Sequence, residues 1–256
     1  MQPAVDDDLA REVRAVVVTR HQERRPPDDL ADLTDRNVRP ALVGPNGAGK
    51  TSLFNLLTGF LRPTAGRVII LGEDTTGLSP EGVARRGVAR SFQITSLFDQ
   101  LTALEHVELA LQAVSTVGYR FWASEGVLLR YRTRSRDLLA EVGLADLANR
   151  PAGKLPYGQK RALELALAIA LDPRLLLLDE PTAGMGVEDI LRTIDLIRKA
   201  HSGRTVVLVE HNMGVVAELA DQVIVLQQGR VIAQGSYAVV RQDPAVVSAY
   251  LGQAHA

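Results

Sequence analysis

The sequence predicts an α/β fold: a mostly parallel sheet flanked by helices, with a helical sub-lobe inserted into it. Three observations carry that prediction. A short apolar run, Ala41-Leu42-Val43, leads into the glycine-rich Gly44-Pro45-Asn46-Gly47-Ala48-Gly49-Lys50-Thr51 and then into residues of helical period. Further on, Leu175-Leu176-Leu177-Leu178 is continuously apolar, without the alternation of a half-exposed strand, and ends in Asp179-Glu180. Such a run is expected of a central parallel strand covered on both faces. Between the two, residues 102–114 and 124–142 have helical period and break the strand–helix alternation.

Taken in order, residues 1–39 are the least regular part of the chain. Residues 13–19 are expected to form a strand, and the stretch around Arg24-Arg25-Pro26-Pro27-Asp28-Asp29 a solvated loop. After the glycine-rich loop, residues 53–61 place apolar side chains on one face of a helix, and residues 67–71 form a short apolar run. Ser79-Pro80-Glu81 starts another helix with proline in its first turn. Residues 88–92 read as a strand ending near Gln93. The helical sub-lobe is assigned to about 93–155, with Phe121, Trp122 and Tyr131 in its core. Residues 205–209 are a further apolar strand, followed by Glu210-His211 and a helix from Asn212. The whole of 1–256 is read as one domain.

With 46% hydrophobic and 23% charged residues, the chain has the composition of a globular protein with a proper core. A formal net charge of -1 gives no reason to expect nucleic acid as a partner. Cysteine is absent, which excludes disulfides and thiolate metal sites. Asp6-Asp7-Asp8 stands where a signal peptide requires basic residues, and the richest apolar stretch, 162–178, is broken by Glu164 and Asp172-Pro173-Arg174. No secretion signal or membrane span is therefore expected.

The chemistry begins at the glycine-rich loop. Glycines let successive backbone N–H groups turn inward around phosphate oxygens, and the helix that follows adds the positive end of its dipole. Gly44, Asn46, Gly47, Ala48, Gly49, Lys50, Thr51 and Ser52 are accordingly the candidates for binding a nucleoside triphosphate. Lys50 would neutralise the outer phosphates and Thr51 would offer a hydroxyl to Mg²⁺. In a doubly wound sheet the strand C-termini face the same crevice as this loop. Asp179 is then a second Mg²⁺ ligand and Glu180 the general base that orients the attacking water. His211, at another strand end, is placed to hydrogen-bond a γ-phosphate.

The order of these motifs resembles that of the ATP-binding subunits of ABC transporters, over about residues 38–252. The resemblance implies a RecA-like P-loop NTPase fold with ATP and Mg²⁺ as ligands. It makes Gln93 the glutamine that senses Mg²⁺ and the membrane subunits, and His211 the switch histidine. It makes Leu155-Pro156-Tyr157-Gly158-Gln159 the signature segment, whose Gly158 and Gln159 meet ATP bound to a second subunit. Leu57-Thr58-Gly59-Phe60, Arg90-Ser91-Phe92-Gln93, the Pro-Tyr-Gly signature and the closing Ala249-Tyr250-Leu251-Gly252 are similar to the ATPases of branched-chain amino-acid importers.

The expected function is ATP hydrolysis that powers solute uptake. The expected partners are a second ATPase subunit, integral membrane permease subunits and, indirectly, an extracytoplasmic solute-binding protein, which puts the chain at the cytoplasmic face of the plasma membrane. The alternatives are a catalytically weak regulatory subunit and the ATPase of a lipopolysaccharide-type exporter. Three departures from the family pattern bear on this choice. Pro156 replaces a serine, Gly186 replaces an Asp or Asn, and no aromatic followed by Gly-Gly precedes the loop, where the family stacks a ring on adenine.

Overall fold

The computed structural model describes residues 39–64, 66–91, 97–114, 125–201 and 203–251. Gln93, Phe121, Trp122 and the expected strand at 13–19 lie outside them. The main sheet has six strands: β1 (Pro40–Val43), β4 (Val88–Ser91), β5 (Leu175–Asp179), β6 (Thr205–Val209), β7 (Gln222–Gln227) and β8 (Arg230–Gly235). Their spatial order is β4-β5-β6-β1-β7-β8; β8 alone runs antiparallel to its neighbour. β1, β5 and β6 are buried along their whole length, which is why their sequences lack alternation.

The two faces of the sheet carry separate cores. On one, Leu42, Leu177, Val207 and Val209 meet Leu53, Phe54 and Leu57 of α1 (Lys50–Leu57). On the other, Ala41, Val43, Leu176, Leu178 and Leu208 pack under α5 (Tyr157–Ala170), α6 (Val187–Ala200) and α7 (Met213–Leu219). The helices expected at 102–114 and 124–142 are α3 (Ala103–Val114) and α4 (Glu125–Glu141), which pack on each other and on α5. α3 starts at a capping box: Thr102 Oγ1 accepts from the Glu105 amide, and the Glu105 carboxylate accepts from the Thr102 amide.

Two expected elements differ in extent. The helix after the loop ends at Leu57 instead of 61, because Thr58 turns its hydroxyl onto the Phe54 carbonyl and Gly59 takes φ +74. A side chain at Gly59 would meet the Leu78 carbonyl at 2.7 Å, and Phe60 and Leu61 are left exposed. The apolar run at 67–71 yields only β2 (Ile69–Ile70), which forms a hairpin with β3 (Glu73–Asp74) outside the main sheet. Leu71 and Gly72 both have positive φ, as a two-residue turn between twisted strands requires. α2 (Pro80–Ala84) begins as expected, capped by Ser79. After β8 the described chain closes with α8 (Tyr237–Val240) and α9 (Pro244–Leu251).

Candidate nucleotide-binding and hydrolysis site

Strand register brings the site together. Leu42 of β1 and Asp179 of β5 both pair with Val209 of β6, so the three strands end at one level. The glycine-rich loop, Asp179-Glu180 and Glu210-His211 all leave the sheet from that edge. Gly44 opens the loop with φ +153, and a Cβ there would lie 2.2 Å from the Leu226 carbonyl oxygen, so only glycine fits. Gly49 is the N-cap of α1 in left-handed conformation, with no side chain capping the first turn. The amides of that turn are thereby kept for an anionic ligand. Behind the loop, the Gly229 amide donates to the Ala48 carbonyl at 2.8 Å. From α9, Tyr250 hydrogen-bonds the Gly44 backbone; burial pushes its phenol up, against the effect of that bond.

Lys50 is buried and donates to the carbonyls of Gly44 at 2.7 Å and Pro45 at 3.0 Å. Burial draws its ammonium below the usual lysine value, while the Glu180 and Asp179 carboxylates oppose that fall. The cation and both acids thus share one electrostatic site. Asn46, Gly47, Thr51 and Ser52 are exposed at its mouth, and Ala48 is buried beneath it.

Glu180 leaves β5 with φ +47, a conformation that costs a non-glycine residue free energy and is concentrated at functional sites. Its amide is tied to the Val209 carbonyl at 2.9 Å. Its Oε1 lies 2.7 Å from His211 Nε2. The sequence places Glu180 and His211 in one crevice, and the structure joins them directly.

Two residues that the sequence reading leaves without a role hold this arrangement. Glu210 is 3% exposed, and its carboxylate accepts from the Thr182 amide and hydroxyl, at 3.0 and 2.6 Å, and from the His211 amide at 3.0 Å. It fixes the loops after β5 and β6 to each other. Glu210→Ala leaves these buried donors unmet and is expected to cost about 3 kcal/mol; an unchanged thermal unfolding midpoint would remove the bracing role. The other is Arg90 on β4, whose Nη2 lies 2.6 Å from Asp179 Oδ2.

The segment that the sequence assigns as the signature, residues 155–159, is built separately. Leu155 is buried, Pro156 is the N-cap of α5 without a side-chain hydrogen bond, and Tyr157 donates its hydroxyl to the Ala183 carbonyl at 2.9 Å. Gly184 takes φ +72 against the Tyr157 ring. Tyr157 therefore links the start of α5 to the loop that follows Glu180. A Cβ on Gly158 would meet the Asp189 carboxylate at 2.6 Å, and Gln159 Oε1 is buried with no donor among the described residues. Among those residues no hydrogen bond joins Gly158 or Gln159 to the phosphate loop. Tyr157→Phe removes the link to Ala183, worth ~1 kcal/mol, together with the hydrogen bond that the hydroxyl accepts from Arg161 Nε at 3.2 Å. Nucleotide affinity should hold while hydrolysis falls about fivefold; unchanged turnover would show that the link does not matter.

The chain matches the family described as ABC transporter over residues 34–183, and over residues 230–256 the family described as branched-chain amino acid ATP-binding cassette transporter. It is 40% identical to the high-affinity branched-chain amino acid transport ATP-binding protein BraF of Pseudomonas aeruginosa over 225 residues, 84% of this chain and 87% of the relative. It is 36% identical to LivG of Escherichia coli, a protein of the same description, over the same shares of the two chains. Among solved structures, the ADP conformation of the ATP-binding cassette MJ1267 superposes with a TM-score of 0.72 at 28% identity, covering 84% of this chain and 88% of that one. A dimeric cassette, MJ0796 bound to ADP and Pi, superposes with a TM-score of 0.69 at 26% identity, covering 88% and 98%. With the loop, the acidic strand ends and the signature turn in place, the chain belongs to the ABC transporter ATP-binding proteins, in their branched-chain amino-acid transporter type.

Proposed function

We propose that two copies of this chain, or this chain and a close relative, sandwich ATP and hydrolyse it to drive uptake of branched-chain amino acids through separate membrane subunits. The observation that carries the hydrolytic part is the convergence of Lys50, Asp179, Glu180 and His211 on one sheet edge. The solute class rests on the C-terminal match and on the names of the relatives.

The donors suit Mg²⁺. Asp179 Oδ2 is engaged by Arg90. Thr51 contributes a second hard oxygen, and among the described residues no group of three acids or histidines is placed to hold a metal ion. Magnesium sites completed by substrate phosphates and water need only such a sparse set. When bound, the ion would neutralise charge developing on the phosphates.

In the proposed mechanism Lys50 leaves the loop carbonyls for the phosphates, and the bare amides of the first turn of α1 hold them. Glu180 takes the proton of the attacking water, and His211 sets the orientation of its carboxylate. Gly158 and Gln159, which make no hydrogen bond to the phosphate loop of their own chain among the described residues, complete the site of the opposite subunit. No helix among the described residues is long and apolar enough to cross a membrane, so permease subunits would supply the path and hold this chain at the cytoplasmic face. A solute-binding protein would deliver cargo outside.

Reconstitution with candidate permease subunits in liposomes tests the reading. Labelled leucine, isoleucine or valine should accumulate only with ATP and the cognate binding protein. ATP hydrolysis that no branched-chain amino acid stimulates would sink the solute assignment while leaving the ATPase intact.

A further inference from the structure

Arg90 is built into the site more firmly than a surface ion pair. It pairs with Leu177 across β4 and β5, two residues before Asp179 in β5, so its side chain rises on the α1 face beside that carboxylate. Nη2 donates to Asp179 Oδ2 at 2.6 Å, Nη1 donates to Asn55 Oδ1 at 2.7 Å, and the guanidinium lies 5.4 Å from the centre of the Phe54 ring. The two charged side chains are 7% and 6% exposed. An arginine held by these groups from α1 and β5 keeps its place when the carboxylate acquires a second cation. Its charge is permanent.

We propose that Arg90 is a resident counter-ion of Asp179 that competes with Mg²⁺ for the carboxylate's charge and so sets the site's metal affinity below what Asp179 would otherwise give. The proposal rests on the reading of Asp179 as a metal ligand. Two effects oppose each other. By holding Oδ2, Arg90 orients Oδ1, and partners that orient a ligating carboxylate commonly strengthen metal binding. Its charge would also repel a dication held by the same carboxylate in a poorly screened setting, and without it the buried carboxylate would carry an uncompensated charge that a metal relieves. The second effect is the larger. It involves a full charge against a dication, whereas the first restrains only a short side chain already packed beneath α1. Arg90 is thus a positioning residue with a cost to metal affinity, and that cost favours release of Mg²⁺ with the spent nucleotide.

The test is a Mg²⁺ titration of the full chain with a fluorescent ATP analogue, paired with thermal unfolding across the same Mg²⁺ range. Arg90→Met should lower the Mg²⁺ concentration at half-saturation by about tenfold. It should also melt lower than wild type without Mg²⁺ and recover more on its addition. Arg90→Lys keeps the charge and should stay nearer wild type. A half-saturation point in Arg90→Met that is unchanged or higher overturns the proposal. Should that variant fail to fold, Asn55→Ala frees one arm of the guanidinium and should lower the midpoint by roughly threefold; no change there overturns it equally. Asp179→Asn separates the two readings, since an unaltered Mg²⁺ midpoint in that variant would remove Asp179 as a ligand, whatever Arg90 does.

Discussion

Glu180→Gln is expected to bind ATP normally and to hydrolyse it some 10²–10⁴-fold more slowly, the usual loss when a general base is removed. The carboxylate oxygen that faces His211 Nε2 at 2.7 Å becomes an amide atom of the same size, so neither the loop nor the strand has reason to move. The strained backbone at φ +47 is unaffected, because glutamine adopts that conformation no less readily than glutamate. Removing one negative charge beside Lys50 should, if anything, help nucleotide bind, since Glu180 is one of the groups that sustains the lysine's charge. The variant should therefore accumulate as an ATP-bound dimer, seen by size exclusion with unhydrolysed nucleotide. Single-turnover hydrolysis within threefold of wild type would eliminate Glu180 as the base.

Lys50→Ala should abolish measurable ATP binding. The structure supplies two reasons. Lys50 is the cation within the loop motif, and its ammonium also draws the Gly44 and Pro45 carbonyls together at 2.7 and 3.0 Å. Without it the loop loses this brace before nucleotide arrives. Lys50→Arg keeps the charge, but a planar guanidinium is bulkier than the ammonium at a position that is already 7% exposed. It should bind weakly at best. Titration of a fluorescent ATP analogue decides both, and affinity for Lys50→Ala within tenfold of wild type would contradict the assignment.

Most of the candidate site's placement is legible in the sequence because its parts are locally dictated. A strand buried on both faces must be apolar throughout, so Leu175 to Leu178 could hardly be anything else, and two carboxylates at its end required a use. The glycines of the loop likewise reflect local geometry, as the clash between a Cβ on Gly44 and the Leu226 carbonyl shows. What the sequence does not show depends on partners distant along the chain. Glu210 reads as one more strand-end acid until Thr182 comes to meet it. Arg90 reads as a strand residue until β5 brings Asp179 alongside. The helix that the sequence predicts over 53–61 stops at Leu57 in the structure: Phe60 and Leu61 continue its apolar face, but the hydroxyl of Thr58 and the turn at Gly59 end it. The β7–β8 hairpin did have a local signal: two apolar runs flank Gln228-Gly229, both at positive φ.

The position of β1 has a consequence for synthesis. It lies at the centre of the sheet, yet its neighbours are β6 and β7, made of residues 205–209 and 222–227. While the ribosome builds the chain, β1 emerges early and waits, with both edges unpaired, until nearly all the rest has been translated. Such an edge invites mispairing with other nascent chains. Of the supports behind the phosphate loop, Leu226 arrives with β7 itself, and Gly229 and Tyr250 arrive later still. The nucleotide cradle is thus among the first parts of the protein to be made and among the last to take shape, and premature termination anywhere before β7 leaves an adhesive fragment.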